Sequence, residues 1–99
     1  MKNYVAIVTG ASQGIGRSTA IRLARDFSAI VLAARNGDAL EEVAKAVKAA
    51  GAEPLSCALD LSQVQASEML IEKALDRFGR IDALLNIAGA VPQRSISSR

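Results

Sequence analysis

The chain has 99 residues, enough for one small domain. Apolar residues make up 51% of it and aromatic residues only 3%, so the core must be built from Ala, Val, Ile and Leu. Twelve basic side chains against ten acidic ones leave a net charge of +2, with no basic block and no interleaved aromatics, so no nucleic-acid partner is expected. A single cysteine and no histidine exclude an internal disulfide and a zinc site. Cys57, inside an apolar run, reads as a small buried hydrophobe, and a chain without disulfides is expected in the cytoplasm. No apolar stretch approaches the ~18 residues of a membrane span. Lys2 leads straight into a strand, so no signal peptide is expected.

The pattern then alternates strand and helix. Residues 4–9 form an apolar strand that runs into Thr9-Gly10-Ala11-Ser12-Gln13-Gly14-Ile15-Gly16. A helix is predicted from about residue 15 to 27, with Gly16, Ala20, Leu23, Ala24 and Phe27 inward at 3.6-residue spacing and Arg17, Ser18, Arg22 and Arg25 outward. A second strand covers residues 29–34. The second helix covers residues 38–50, with Leu40, Val43, Ala44 and Val47 inward. Asp38 with Glu41 resembles a capping box, and Gly51 stands where a helix-terminating glycine belongs. Residues 54–59 form a third strand. The third helix follows Asp60-Leu61-Ser62, with Ser62 and Gln65 as its capping pair and a core face of Val64, Ile71, Ala74, Leu75 and Phe78. Met69 and Leu70 widen that stripe, which fits either a broadly buried helix or one that also packs on a partner. Gly79 ends it, residues 82–88 form a fourth apolar strand, and residues 93–99 form an irregular tail.

Apolar strands joined by helices imply a parallel sheet with right-handed crossovers, covered on both faces. A glycine-rich turn between a strand and a helix start is a phosphate-binding geometry: backbone N–H groups and the helix dipole both favour an anion there. Its spacing is one residue longer than the usual dinucleotide fingerprint, and no Gly-Lys-Ser/Thr follows to make it a P-loop. The dinucleotide-binding strand order would be 3-2-1-4, which puts the glycine turn, Asp60 and Asn86-Ile87-Ala88-Gly89 at strand carboxyl ends. The second strand ends Ala34-Arg35-Asn36. An NAD site would place an acidic residue there for the ribose 2′-hydroxyl. Ala34 stands at that position instead, and Arg35 is suited to pair with a 2′-phosphate. NADP is therefore favoured over NAD, with Ser12 as a further donor.

The glycine turn and Asn86-Ile87-Ala88-Gly89, in this order and on these strands, resemble the short-chain dehydrogenase/reductase family over residues 3–92. The resemblance implies a Rossmann-like α/β fold, a doubly wound parallel sheet present in part: about four strands and three helices, with residues 1–92 as the NAD(P)-binding half-domain. It assigns Gly10, Gly14 and Gly16 to the pyrophosphate turn, in which Ser12, Gln13 and Ile15 are further candidate cofactor-binding residues. It places Asp60 and Leu61 beside the adenine, and Asn86, Ala88 and Gly89 at the border of the cofactor. Ile87 departs from the family, which usually has a second Asn there.

Similar enzymes carry a catalytic Tyr-x-x-x-Lys and an upstream Ser beyond this stretch. The one tyrosine here, Tyr4, has Val8 four residues on and reads as structural. Two functions stay open. One is the cofactor-binding half of an NADP-dependent short-chain oxidoreductase, moving hydride between NADP(H) and a carbonyl or alcohol; truncated before the catalytic pair, it is expected to be inactive alone. The other is a non-catalytic nucleotide-binding or self-associating module. The fourth strand would be a bare apolar edge, so self-association through it and the third helix is expected.

Overall fold

The computed structural model describes residues 3–12 and 14–87 of the chain. The expectations for Gln13, Ala88, Gly89 and the 93–99 tail lie outside the described residues. The elements run β1 (Val5–Thr9), α1 (Gly14–Leu23), β2 (Ala29–Ala34), α2 (Gly37–Ala49), β3 (Glu53–Ala58), α3 (Val64–Phe78) and β4 (Ala83–Asn86). The four strands form one sheet in the order β3-β2-β1-β4, and every pairing is parallel. The doubly wound order expected from the sequence is the one observed.

The central strands are buried on both faces. Every residue of β1 is buried, as are the first five of β2. Side chains alternate between two cores. Ala6, Val8, Ile30 and Leu32 pack under α1 and α2 with Ala20, Leu40, Val43 and Val47. Val5, Ile7, Val31 and Ala33 pack on the other face under α3, with Cys57, Leu70 and Ala74. Burying each large aliphatic side chain stabilises the fold by about 1.5–3 kcal/mol. Cys57 is buried, and burial raises its pKa above the ordinary thiol range, which makes it an inert core residue.

The sheet is fastened at the amino ends of the strands by Asp82. Its Oδ2 accepts from the Val5 N–H at 2.8 Å, and its own N–H donates to the Val5 carbonyl at 2.8 Å. Arg80 donates to both oxygens of that carboxylate, at 2.7 and 2.9 Å, and lies 5.5 Å over the Tyr4 ring. Tyr4 is thus part of this fastening. At the opposite edge of the sheet, the Glu53 and Leu59 amides donate inward, to Ser28 and Ala34. The alternation turns Pro54 outward, where its missing N–H leaves no donor on the free edge.

Three local expectations are corrected. Helix α1 ends at Leu23 rather than near Phe27, and the chain tightens there through Arg25 N–H to Arg22 and Asp26 N–H to Leu23 contacts. Helix α2 is capped by Asn36, whose Oδ1 accepts from the Ala39 N–H at 3.0 Å; Asp38 lies in the first turn. Helix α3 is preceded by Gln63, which makes no side-chain cap, because Ser62 donates to Asp60 instead.

The face of α3 differs in part: Ala74 is buried as expected and Phe78 packs against the same core, but the rest of the expected face does not. Ala66, Leu70 and Ala74 are its buried residues, while Val64, Ile71 and Leu75 are exposed. Two small alanines let the helix lie close to the sheet, with Leu70 as the one large side chain between them. The larger aliphatics are rotated off by about a third of a turn.

Candidate nucleotide site

Parallel strands bring their carboxyl ends to one edge of the sheet, and the residues singled out in the sequence gather there. The Ala11 N–H in the glycine turn donates to the Ala33 carbonyl at 3.2 Å, which ties the turn to the end of β2. The Leu59 N–H donates to the Ala34 carbonyl at 2.9 Å, bringing the start of the Asp60 loop to the same place. On the other side, Thr9 joins β1 to β4. Its buried hydroxyl donates to Asn86 Oδ1 at 2.8 Å and accepts from the Ile87 N–H at 3.0 Å. Ile87, where the family usually has Asn, packs against the aliphatic core under α1 and α2.

The three glycines of the turn do different work. Gly10 and Gly14 have φ of 65° and 59°, the left-handed region that glycine enters without a Cβ penalty. Among the described residues, a Cβ on Gly14 would meet no atom within 4 Å, so the backbone there is open on that side. A Cβ on Gly16 would lie 1.9 Å from the Gly10 carbonyl oxygen, so the first turn of α1 rests directly on the loop. Gly14, Ile15 and Gly16 therefore bring the amino end of α1 to the sheet edge, and that first turn carries no acidic residue. Helix α2, in contrast, has Asp38 in its first turn and the Asn36 cap. The amino end of α1 keeps its positive dipole available to an external anion. An open cradle beside an uncompensated helix start fits a pyrophosphate. Ile15 is exposed next to it.

Asp60 Oδ1 accepts from the Ser62 N–H at 3.0 Å and the Ser62 hydroxyl at 2.7 Å. The Ser62 hydroxyl, followed by its amide, holds the Asp60 carboxyl below the ordinary carboxylate range; the charge of nearby Arg35 adds to this, against a desolvation that raises it. Asp60 is thus a fixed acceptor, with one oxygen engaged by Ser62. Arg35 and Asn36, exposed, open the loop between β2 and α2. Ser12 is half-buried in the turn, and Leu61 is half-buried against the α3-side core.

The sequence assigned no role at the site to Thr9, and it read Ser62 as a helix cap. The Asp-x-Ser spacing that orients Asp60 is a local turn signature and was readable. The Thr9–Asn86 link needs the β1–β4 register, which pairs those two residues. Two open grooves of about 400 Å³ lie elsewhere, one beside Ser18, Arg22 and Ala50, the other beside Leu55, Lys73 and Arg77. Among the described residues no group of His, Cys, Asp and Glu is placed to hold a metal ion, and no helix is long and apolar enough to cross a membrane.

Residues 4–98 match the family model for short chain dehydrogenase. The chain is 39% identical over 98 residues to an uncharacterized oxidoreductase of Listeria innocua, covering 99% of this chain and 40% of that protein. A metagenomic short-chain oxidoreductase solved in complex with NADP superposes with a TM-score of 0.78 and 39% identity, over 85% of this chain and 38% of that one. NAD+-bound xylitol dehydrogenase superposes at 0.79 with 36% identity, over 84% of this chain and 32% of that one. The chain thus spans 40% or less of the length of these relatives.

Proposed function

The chain belongs to the short chain dehydrogenase family, and from that premise we propose that it binds NADP(H) at the carboxyl ends of β1, β2 and β3, as the cofactor-binding part of an oxidoreductase. The nucleotide-binding unit takes in residues 1–92. The observation that carries the reading is the Gly10–Gly16 turn: an open backbone cradle at a helix start with no competing carboxylate. The amides of Ser12, Gln13, Gly14, Ile15 and Gly16 surround the pyrophosphate. Ile15 packs on the cofactor with its exposed side chain. Asp60 accepts from the adenine amino group beside Leu61. Asn86, Ala88 and Gly89 border the cofactor at the end of β4. NADP(H), once bound, supplies the hydride that a carbonyl or alcohol substrate exchanges. The residues described here bind and orient it, and none of them is assigned as the proton donor.

Arg35 sets the preference for NADP over NAD. It is exposed at the end of β2, and the neutral Ala34 leaves no charge to repel a 2′-phosphate. Among the relatives, one was solved with NADP and another with NAD+, so the choice rests on this chain's own residues. Titrating NADPH and NADH by fluorescence, with wild type and Arg35→Asp, tests it. A charge-assisted pair of about 1.5–3 kcal/mol corresponds to a ~10–100-fold shift toward NADH in the variant. An unchanged ratio refutes the assignment.

A second reading is carried by apolar exposure. Val64, Ile71 and Leu75 of α3 and Leu84 of β4 stand in solvent. Within the described sheet β4 pairs with β1 alone. The chain then self-associates through α3 and the β4 edge.

A further inference from the structure

Resting on the reading of Asp60 as acceptor for the adenine amino group, we propose that Ser62 is a positioning residue of that site. It fixes one oxygen of the Asp60 carboxylate, presents the other to the base, and so selects an amino purine over an oxo purine. The backbone around Asp60 is held from both sides without the Ser62 hydroxyl. The Leu59 N–H donates to the Ala34 carbonyl at 2.9 Å, one residue before Asp60 leaves the sheet. Beyond it, the Gln63 N–H donates to the Asp60 carbonyl at 3.1 Å, and Leu61 packs against the core under α3. Helix α3 starts at Val64 with no side-chain cap, so the hydroxyl is not used there either.

What the hydroxyl does is orient a side chain. The last torsion of an aspartate is broad, so an exposed carboxylate turns freely unless something grips it. Ser62 grips Asp60 twice at one atom: Oδ1 accepts from the Ser62 hydroxyl at 2.7 Å and from its N–H at 3.0 Å. Among the described residues Oδ2 takes no hydrogen bond, and Asp60 is exposed. The competing pull comes from Arg35. The loop after β2 lies close to the end of β3, where a Cβ on Gly37 would sit 3.5 Å from the Ala58 Cβ, and the Arg35 charge acts on the Asp60 carboxylate. A carboxylate released by Ser62 is drawn toward that guanidinium and away from the base.

The chemistry of the free oxygen sets the choice of base. An ionised carboxylate accepts and cannot donate. The Ser62 hydroxyl, then its amide, keep Asp60 in that form. The exocyclic amino group of adenine is a donor, whereas an oxo group at the same place is an acceptor. Two acceptors facing each other leave both unpaired, so the oxo purine is turned away by the same oxygen that binds the amino purine.

The test is isothermal titration calorimetry of the chain with NADPH and with its hypoxanthine counterpart, in which an oxo group replaces the adenine amino group. The wild type is expected to prefer NADPH ~10-fold, the lower end for a hydrogen bond to a charged acceptor. Ser62→Ala keeps the amide contact and loses the hydroxyl, and is expected to cut that preference to ~2-fold, chiefly by weakening NADPH. Ser62→Thr should restore the preference, and Ser62→Val, which has the shape of Thr without its hydroxyl, should lose it again. Asp60→Ala should abolish it. Circular dichroism on the same samples checks the fold, and a merely structural role for Ser62 would lower both affinities alike and leave their ratio unchanged. A wild-type preference that survives in both Ser62→Ala and Ser62→Val overturns the role of Ser62 and leaves the NADP reading intact. Equal wild-type affinity for the two dinucleotides overturns the selection of the base, again without touching dinucleotide binding. A chain that binds neither overturns the NADP reading and this inference together.

Discussion

Gly16→Ala separates a packing role from a conformational one within the glycine turn. The added Cβ would sit 1.9 Å from the Gly10 carbonyl oxygen and 2.6 Å from its carbon. An ordinary carbon–oxygen contact is about 3.3 Å, so the amino end of α1 must lift by roughly 1.4 Å. Both sides of the clash are backbone, so no side-chain rotation relieves it. Overpacking of this kind costs about 2–3 kcal/mol. A chain of this size loses about 4–8 °C of Tm per kcal/mol, so the expected drop is about 10–20 °C. The same lift takes the Gly14–Gly16 amides off the phosphate, so NADPH affinity falls with stability. Gly14→Ala is the control. Its Cβ meets no described atom within 4 Å, and its cost is the left-handed backbone at φ 59°, about 1–2 kcal/mol. Thermal unfolding followed by circular dichroism, with NADPH fluorescence on the same samples, measures both. Gly16→Ala with wild-type Tm and affinity would refute the close approach of α1 to the loop and the phosphate site built on it.

Thr9→Val keeps the shape of the side chain but leaves Asn86 Oδ1 and the Ile87 N–H without their partner, a loss of about 1–3 kcal/mol in urea denaturation that Thr9→Ser should largely restore. Asn36→Ala removes the cap on the Ala39 N–H and should cost about 1 kcal/mol by the same assay, whereas Glu41→Ala, outside the cap, should stay within about 0.5 kcal/mol. The Asp82 carboxyl is held below its ordinary range, first by the Arg80 guanidinium and then by the Val5 N–H. A depressed folded pKa gives stability that is present above the unfolded value of about 3.9 and is lost as pH falls through the folded one. Tm should therefore be insensitive to Asp82 between pH 7 and 5 and fall below about pH 4, with a shallower acid slope in Asp82→Asn.

The parts of the fold read correctly from sequence are those fixed by short-range pattern. The inward face of α2, Leu40, Val43, Ala44 and Val47, is buried as expected, because only one stripe of that helix is apolar. The bounds of β2 match for a similar reason: a continuous Ala-Ile-Val-Leu-Ala-Ala run has no second reading as an amphipathic element. Helix α3 has two apolar stripes of the same period, so periodicity alone could not choose between them. Hydropathy favours Val64, Ile71 and Leu75. The sheet keeps the expected Ala74 and adds Ala66 and Leu70, because close approach rewards small side chains over large ones. The missed cap at Asn36 has a different cause. Asp38 and Asn36 are both good capping residues, and the choice depends on where β2 releases the chain.

The candidate site shows the same division. The glycine spacing identified the turn, but the distinct role of Gly16 emerges only when α1 is laid against β1. Asp60 was singled out by resemblance; what fixes its carboxylate is Ser62, the residue expected to cap α3. These two facts are linked. Because Ser62 turns back to Asp60, α3 starts later, at Val64, without a side-chain cap. One hydroxyl cannot serve both ends of the loop. Here it orders the carboxylate at the site, and the helix start goes without. Across the sheet edge, Asn86 accepts from the Thr9 hydroxyl through its Oδ1, which orders that side chain at the end of β4. At this end of the sheet side-chain polar groups are spent on positioning one another, whereas at the amino end Asp82, Arg80 and Val5 satisfy one another within the fold.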